Sequence, residues 1–270
     1  MAKRHIENSN SYNVTWREWE LPLLGRHIGR RLLTDDPENG AFTAVVELPA
    51  QLDSKNVIAC TSEFQIFILT GQLELDNIVM QAGAYCYYPP NSPHGRWRTT
   101  NRTSFLMICE EEPIFFVPQS IDPLKESVRY IDSWNLEWKN PLNVSDPSNL
   151  YRQGLMVKIL RQHPITGAST HLAGLLPGWF AEGLEVHPIY EENFCLSGDV
   201  NIAIVDGAPG YTMTKGTYLC RPPQIPHGPI SSKNGNVNLC YTPGKLGIDY
   251  QECDDDERLI FDHLRNYPWN

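Results

Sequence analysis

The 270-residue chain contains no uninterrupted apolar run of 18 residues, the length that a membrane-crossing helix requires. Its start, Met1-Ala2-Lys3-Arg4-His5, leads into polar sequence and lacks the apolar core of a secretory signal. A cytoplasmic protein with no membrane contact is expected. Basic residues are scarce: 22 Lys and Arg against 32 Asp and Glu leave a formal charge of −10. That balance argues against a nucleic-acid partner, because a phosphate backbone calls for a basic face, and the small cluster of Arg96, Arg98 and Arg102 does not reverse it. Paired cysteines are missing too. The seven cysteines, at 60, 86, 109, 195, 220, 240 and 253, are odd in number and show no Cys-x-x-Cys spacing. Zinc-finger and disulfide-framework readings are therefore weak, and buried free thiols are expected.

What the chain does contain is an internal repeat. Pro37-Glu-Asn-Gly40-Ala-Phe-Thr43 returns as Pro164-Ile-Thr-Gly167-Ala-Ser-Thr170. An apolar stretch ending in Leu-Pro follows each copy, up to Pro49 and Pro177, and then a stretch closed by a turn glycine, Gly71 or Gly198. Gly83-Ala-Tyr-Cys-Tyr-Tyr-Pro89-Pro-Asn-Ser-Pro-His94 has its partner in Gly216-Thr-Tyr-Leu-Cys-Arg-Pro222-Pro-Gln-Ile-Pro-His227, with eleven positions from Gly to His in both. Between these landmarks lie short segments rich in β-branched and aromatic residues, broken by Gly and Pro, the pattern of antiparallel sheets. Thr43–Leu48 and Val200–Val205 read as strands. The boundaries expected are an N-terminal arm (1–30), a first β-domain (31–118), a linker (119–150), a second β-domain (151–245) and a C-terminal tail (246–270). Helix signals sit only in the connections: Asp122-Pro123 predicts a short helix to about Tyr130, and the acidic start and helical spacing of Leu259, Ile260 and Leu264 predict another near the end.

Residues two apart on a strand share a face, so Glu185 and His187 face together. Glu191 comes round beside them after a brief turn, and His227 lies just beyond Pro222-Pro223. Imidazoles and carboxylates suit Fe, Mn, Ni, Cu or Zn, and two histidines with one carboxylate leave positions open for substrate, water or O2. By alternation Asn193 and Cys195 continue the Glu191 face. Tyr218 and Arg221 are further pocket candidates, Arg221 as a partner for a substrate carboxylate, whereas His171 and His163 read as structural. In the first repeat Ile58, Cys60 and Phe64 stand where the second has Glu185, His187 and Glu191, and His94 alone matches, at the place of His227. An apolar, metal-free interior is expected there.

These residues resemble the two cupin motifs. His187, Glu191 and Gly198 match the His-x3-Glu-x6-Gly part of the first, and Gly216, Pro222 and His227 match the second, in which Gln224 replaces the inner glycine. Together with Tyr130-Ile-Asp-Ser-Trp134, Pro164-Ile-Thr-Gly167-Ala and Leu176-Pro-Gly178, the chain is similar to the ChrR-like cupins, a group that includes acetylacetone-type dioxygenases. The resemblance implies an all-β protein of two tandem cupin barrels (double-stranded β-helix or jelly-roll) with short connecting and C-terminal helices. It implies one divalent metal ion per chain held by Glu185, His187, Glu191 and His227, with Fe(II) favoured and Mn, Ni or Zn open. It implies a dioxygenase-type oxidoreductase acting on a ketone or organic acid; a redox-neutral lyase, isomerase, cyclase or decarboxylase and a non-catalytic metal-binding module stay open beside it. The family has a histidine where this chain has Glu185. Glu185 is then a fourth ligand, or a general base outside the metal's ligand set, or the mark of a site that has lost its metal. A small-molecule substrate is the expected partner, with a homodimer through edge strands or the N-terminal arm.

Overall fold

The computed structural model describes residues 3–24, 26–119, 128–139, 154–246 and 249–251. Stretches of β-branched and aromatic residues closed by Gly or Pro turns form strands throughout, and no α-helix occurs among the described residues. The chain divides into two compact units, Met1–Arg4 with Ser11–Leu136, and His5–Asn10 with Glu137–Asn270.

In the first unit the main sheet is antiparallel, in the order Val128–Asp132, Ala84–Tyr88, Phe64–Thr70, Thr103–Cys109, Phe42–Leu48, Arg26–Asp35 and Arg17–Leu21. In the second the order is Leu155–Gln162, Ser169–Leu175, Asn236–Thr242, Glu191–Val205, His227–Ser231, Leu184–Val186 and Asp249–Gln251, with Thr217–Arg221 and Ala208–Thr214 paired onto Glu191–Val205. Each order runs from one edge strand to another. The expected closed barrels are thus corrected to open sheets. A local reason lies in the Pro89-Pro90 and Pro222-Pro223 steps, which follow directly on Ala84–Tyr88 and Thr217–Arg221 and offer no N–H to carry a ladder onward.

The two units share one register. Cys109, Met107 and Phe105 pair with Phe42, Ala44 and Val46, as Thr242, Cys240 and Asn238 pair with Ser169, His171 and Ala173. Ile58 bridges to His94 as Glu185 pairs with His227. The filling differs. In the first unit Phe42, Phe64, Phe105, Trp97 and their neighbours close the interior into one buried cluster.

His94 is part of that filling. Its Nδ1 accepts from Trp97 Nε1 at 3.0 Å, and its ring lies edge-on to Phe64 at 5.1 Å between centroids. Burial pushes its pKa down to about 3. The unfolded chain, with an ordinary imidazole near 6.5, therefore takes up the proton first. Stability from this residue is complete above about pH 6.5 and is lost as pH falls toward 3, by roughly 1.4 kcal/mol per pH unit. Urea unfolding of the first unit at pH 7, 5 and 4 is expected to show that slope in the wild type and a shallower one in His94→Gln. Equal slopes would contradict it.

The predicted connecting helix is corrected as well. Residues 122–127 lie outside the described residues, but Val128–Asp132 is a strand, with Ile131 opposite Tyr85 and Asp132 opposite Ala84. Val128, Tyr130 and Ile131 favour a pleated edge over the helix that Asp122-Pro123 would start. The predicted helix at residues 254–264 also lies outside the described residues. Ile6–Asn10 does in the second unit what Val128–Asp132 does in the first: Ser9 pairs with Tyr218 and Asn10 with Thr217. A short 3-10 turn follows each strand, Ser11–Asn13 and Ser133–Asn135. Trp16 then covers Arg31 at 4.4 Å, and Trp138 covers Lys158 at 4.7 Å. The repeat therefore begins well before Pro37, with Asn10-Ser-Tyr-Asn13 matching Asp132-Ser-Trp-Asn135.

Candidate metal centre

Four short structural decisions bring the polar cluster together. Leu184–Val186 lays Glu185 opposite His227. His187 follows at the strand's end. Glu191 opens the long Glu191–Val205 strand. Gln224, where the cupin pattern has glycine, takes the left-handed φ of 65° and donates its backbone N–H to the His187 carbonyl at 2.9 Å, which ties the loop before His227 to the strand before it. A left-handed non-glycine costs on the order of 1 kcal/mol, and that hydrogen bond opposes the cost.

Glu185, His187 and His227 offer ligand atoms that all lie within 4.8 Å of one another. Glu191 Oε1 sits 3.7 Å from His187 Nε2 and 3.5 Å from His227 Nε2. His227 Nδ1 lies 3.0 Å from the Ile225 carbonyl, which can only accept, so Nδ1 carries the proton and Nε2 keeps its lone pair for an ion. Burial first, then Arg221, lowers the His227 pKa to about 4, so the ring is neutral at neutral pH. Burial alone would raise the Glu191 carboxyl, but His187, Arg221 and His227 outweigh it and hold it at about 2. Two imidazoles with one or two carboxylates are a donor set that fits a divalent first-row metal.

Arg221 is buried and fully engaged. Its Nη1 donates to Glu191 Oε1 at 2.7 Å, while Nε and Nη2 grip Glu7 at 2.8 and 3.0 Å. The Tyr211 hydroxyl also donates to Glu7. Asn193 Nδ2 holds the other Glu191 oxygen at 3.1 Å. A cavity of about 500 Å³ opens from the cluster, and its wall includes Glu185, His187, Glu191, Asn193 and His227.

Among the expected pocket residues, Asn193 lines this cavity; Cys195, Tyr218 and Arg221 are absent from its lining. A bulge in the pairing falls between Cys195 and Ser197, and the Cys195 thiol is fully buried with Asn236 Nδ2 at 3.2 Å. Tyr218 points to the other face of its strand and donates to Glu192 at 2.7 Å. Arg221 is committed to two carboxylates of the protein itself. His171, read as structural, lines the cavity, with its Nδ1 3.1 Å from Ser169 Oγ. Glu7, Tyr211, Trp179, Asn236 and Asn238 were not singled out from sequence. The aligned repeat held a signal for Asn238, which replaces Phe105.

A family model described as "Domain of unknown function (DUF4437)" matches residues 10–248. The chain belongs to this family. Curated proteins yield no match to the DUF4437 chain. Among solved structures, it is similar to a "putative dioxygenase" from Nostoc punctiforme PCC 73102, with 18% identity and a TM-score of 0.81 over 94% of this chain and 92% of that one. It is also similar to oxalate decarboxylase from Bacillus subtilis, with 11% identity and a TM-score of 0.59 over 98% and 84%, a protein described elsewhere as having Mn(II) centres. A "putative glyoxylate induced protein" from Pseudomonas aeruginosa shares 16% identity and a TM-score of 0.60 over 87% and 86%. At these identities the likeness establishes the cupin fold and nothing finer. No helix among the described residues of the DUF4437 chain is long and apolar enough to cross a membrane.

Proposed function

We propose that this protein is a metal-dependent enzyme acting on a small, largely apolar ketone, in a dioxygenase-type reaction. Glu185, His187 and His227 would hold one divalent ion, with Glu191 as a fourth donor. The observation that carries the reading is the convergence of three donor atoms within 4.8 Å of one another at the wall of a mostly apolar cavity. A bound Fe(II) would supply Lewis acidity and redox capacity at that wall.

The chain's own residues do the rest. The Ile225 carbonyl fixes the His227 tautomer. Arg221 and Asn193 hold the two Glu191 oxygens. Apolar walls exclude water from the bound molecule. A ketone is favoured over a small organic diacid because, among the described lining residues, the only cation is the exposed Lys245; Arg221 is already neutralised.

The test is elemental analysis of protein offered Fe(II), Mn(II), Ni(II) and Zn(II) and then dialysed, followed by oxygen uptake with a 1,3-diketone. About one ion per chain and ketone-dependent uptake are expected, and retention of no ion sinks the reading. Glu185→Gln refines it. As a ligand, Glu185 loses its charge and the ion binds at least about tenfold more weakly, whereas a general base would leave the ion in place and lower turnover by about 10²–10⁴-fold. Weaker binding is the expected result.

A further inference from the structure

The two units offer the same backbone with two fillings. In the first, Ala44, Met107 and Ile66 lie side by side on neighbouring strands, buried and apolar. In the second, His171, Cys240 and Asn193 take those register positions, and all three line the cavity of about 500 Å³. Cys240 and Asn193 are engaged within the protein. The Cys240 thiol donates to Asn193 Oδ1 at 2.7 Å, and Asn193 Nδ2 donates to Glu191 Oε2 at 3.1 Å.

His171 is engaged on one side only. Its side chain is buried, with 9% of the residue exposed, and Nδ1 lies 3.1 Å from Ser169 Oγ. Nε2 has no hydrogen-bond partner among the described residues. Nor is it one of the described polar atoms that are sealed off without a partner. It therefore opens onto the cavity that the residue lines. The Ser169 hydroxyl has no other acceptor among the described residues, so its proton goes to Nδ1. Burial lowers the His171 pKa to about 4, against an upward pull from Glu191, and the ring is neutral at neutral pH. A neutral imidazole carries one N–H, and with Nδ1 accepting from Ser169 that N–H sits on Nε2. A single donor in a mostly apolar wall is the kind of group that fixes how a bound molecule lies.

We propose that His171 is a substrate-binding residue: its Nε2–H donates a hydrogen bond to a carbonyl oxygen of a molecule held between the imidazole and the Glu185–His187–His227 cluster. Both ends face the one cavity. The strands of His171 and Asn193 are two sheet spacings apart, about 10 Å, which leaves room for a small molecule between them. A carbonyl oxygen accepts from a neutral N–H without bringing in a charge, and Arg221, already committed to Glu7 and Glu191, has none to offer an anion. This assignment rests on the proposed ketone reading of the same cavity but does not depend on the ion.

Nitrogen-15 NMR of histidine-labelled, metal-free protein tests it, with the His171 signals assigned by their loss in His171→Gln. The Nε2–H tautomer is expected, and 4-phenylbutan-2-one is expected to shift the Nε2 resonance. By calorimetry His171→Leu is expected to bind that ketone about fivefold more weakly or worse. His171→Gln, which keeps an amide N–H near the place of Nε2, is expected to stay within about twofold of the wild type. A ring protonated on Nδ1 instead, an unmoved Nε2 resonance, or equal affinity in the leucine variant overturns the role of His171, as does failure of the wild type to bind the ketone with or without Mn(II). Metal content measured on the same samples keeps the two ideas apart. Retained ion with no dependence on His171 refutes only the hydrogen bond, and His171-dependent ketone binding without retained ion refutes only the metal-dependent reading.

Discussion

His187→Ala and His227→Ala are each expected to abolish the proposed metal binding, and His94→Ala to leave it unchanged. Both variants of the second unit remove one imidazole from a donor set that has only two, beside Glu185 and Glu191, and a site built from so few ligands cannot lose one and keep its affinity. The Ile225 carbonyl has already set the His227 tautomer, and such outer hydrogen bonds alone are commonly worth 10–100-fold in affinity. His94 occupies the same place in the first unit, but its ring packs against Phe64, Tyr88, Trp97 and Phe115, and among the described residues no carboxylate pairs with it. Metal content by mass spectrometry on the three variants decides the matter. Loss of metal in His94→Ala would overturn the assignment of the ion to the second unit, and a full complement in His227→Ala would overturn the donor set.

Arg221→Met is expected to be the most damaging substitution for stability. It leaves Glu7 and Glu191 facing each other with no cation between them, and breaking a buried pair in this way costs about 3–5 kcal/mol. The loss is directional in pH. Glu191 is held at about 2 against an ordinary 4.5, so in the wild type it contributes stability above about pH 4.5 that disappears as pH falls toward 2. Without Arg221 its pKa rises, and that acid-dependent share shrinks. Chemical unfolding of metal-free protein at pH 7 and pH 4 reads both effects. Adding Glu7→Gln to Arg221→Met should restore part of the stability, because one orphaned charge is gone. A single variant as stable as the wild type at pH 7 would show that Arg221 does not carry the charge of this cluster.

Much of this was legible before any coordinates. The Gly83/Gly216 and His94/His227 landmarks align the two repeats correctly, so the contrast between Ile58, Cys60, Phe64 and Glu185, His187, Glu191 could be read as an apolar interior set against a polar one. Alternation placed Asn193 on the cavity wall and keeps Cys195 on the same face, opposite Asn238, but it gave no sign that the thiol is covered by Val200, Ile202, Met213 and Leu219. It could not show that Arg221 is spent, since its partner Glu7 lies 214 positions away in a segment read as an N-terminal arm. The strand at Val128–Asp132 was hidden behind an Asp-Pro helix start, a local signal overridden by pairing with Ala84–Tyr88. Asn236 and Asn238 were missed for another reason: asparagine on a strand reads as an outward polar residue until an aligned Phe105 shows which way it points.

The Ile6–Asn10 strand sets an order of assembly during synthesis. The Thr217–Arg221 strand it must pair with is made 214 positions later, some 10–40 s at about 5–20 residues per second. During that interval Glu7 has no arginine and the second unit has no edge. The closure then joins parts of the chain far apart in sequence, which slows folding in the manner of any high-contact-order topology. A change within Ile6–Asn10 therefore acts on the second unit and its polar cluster, although the residues on both sides of that strand belong to the first unit.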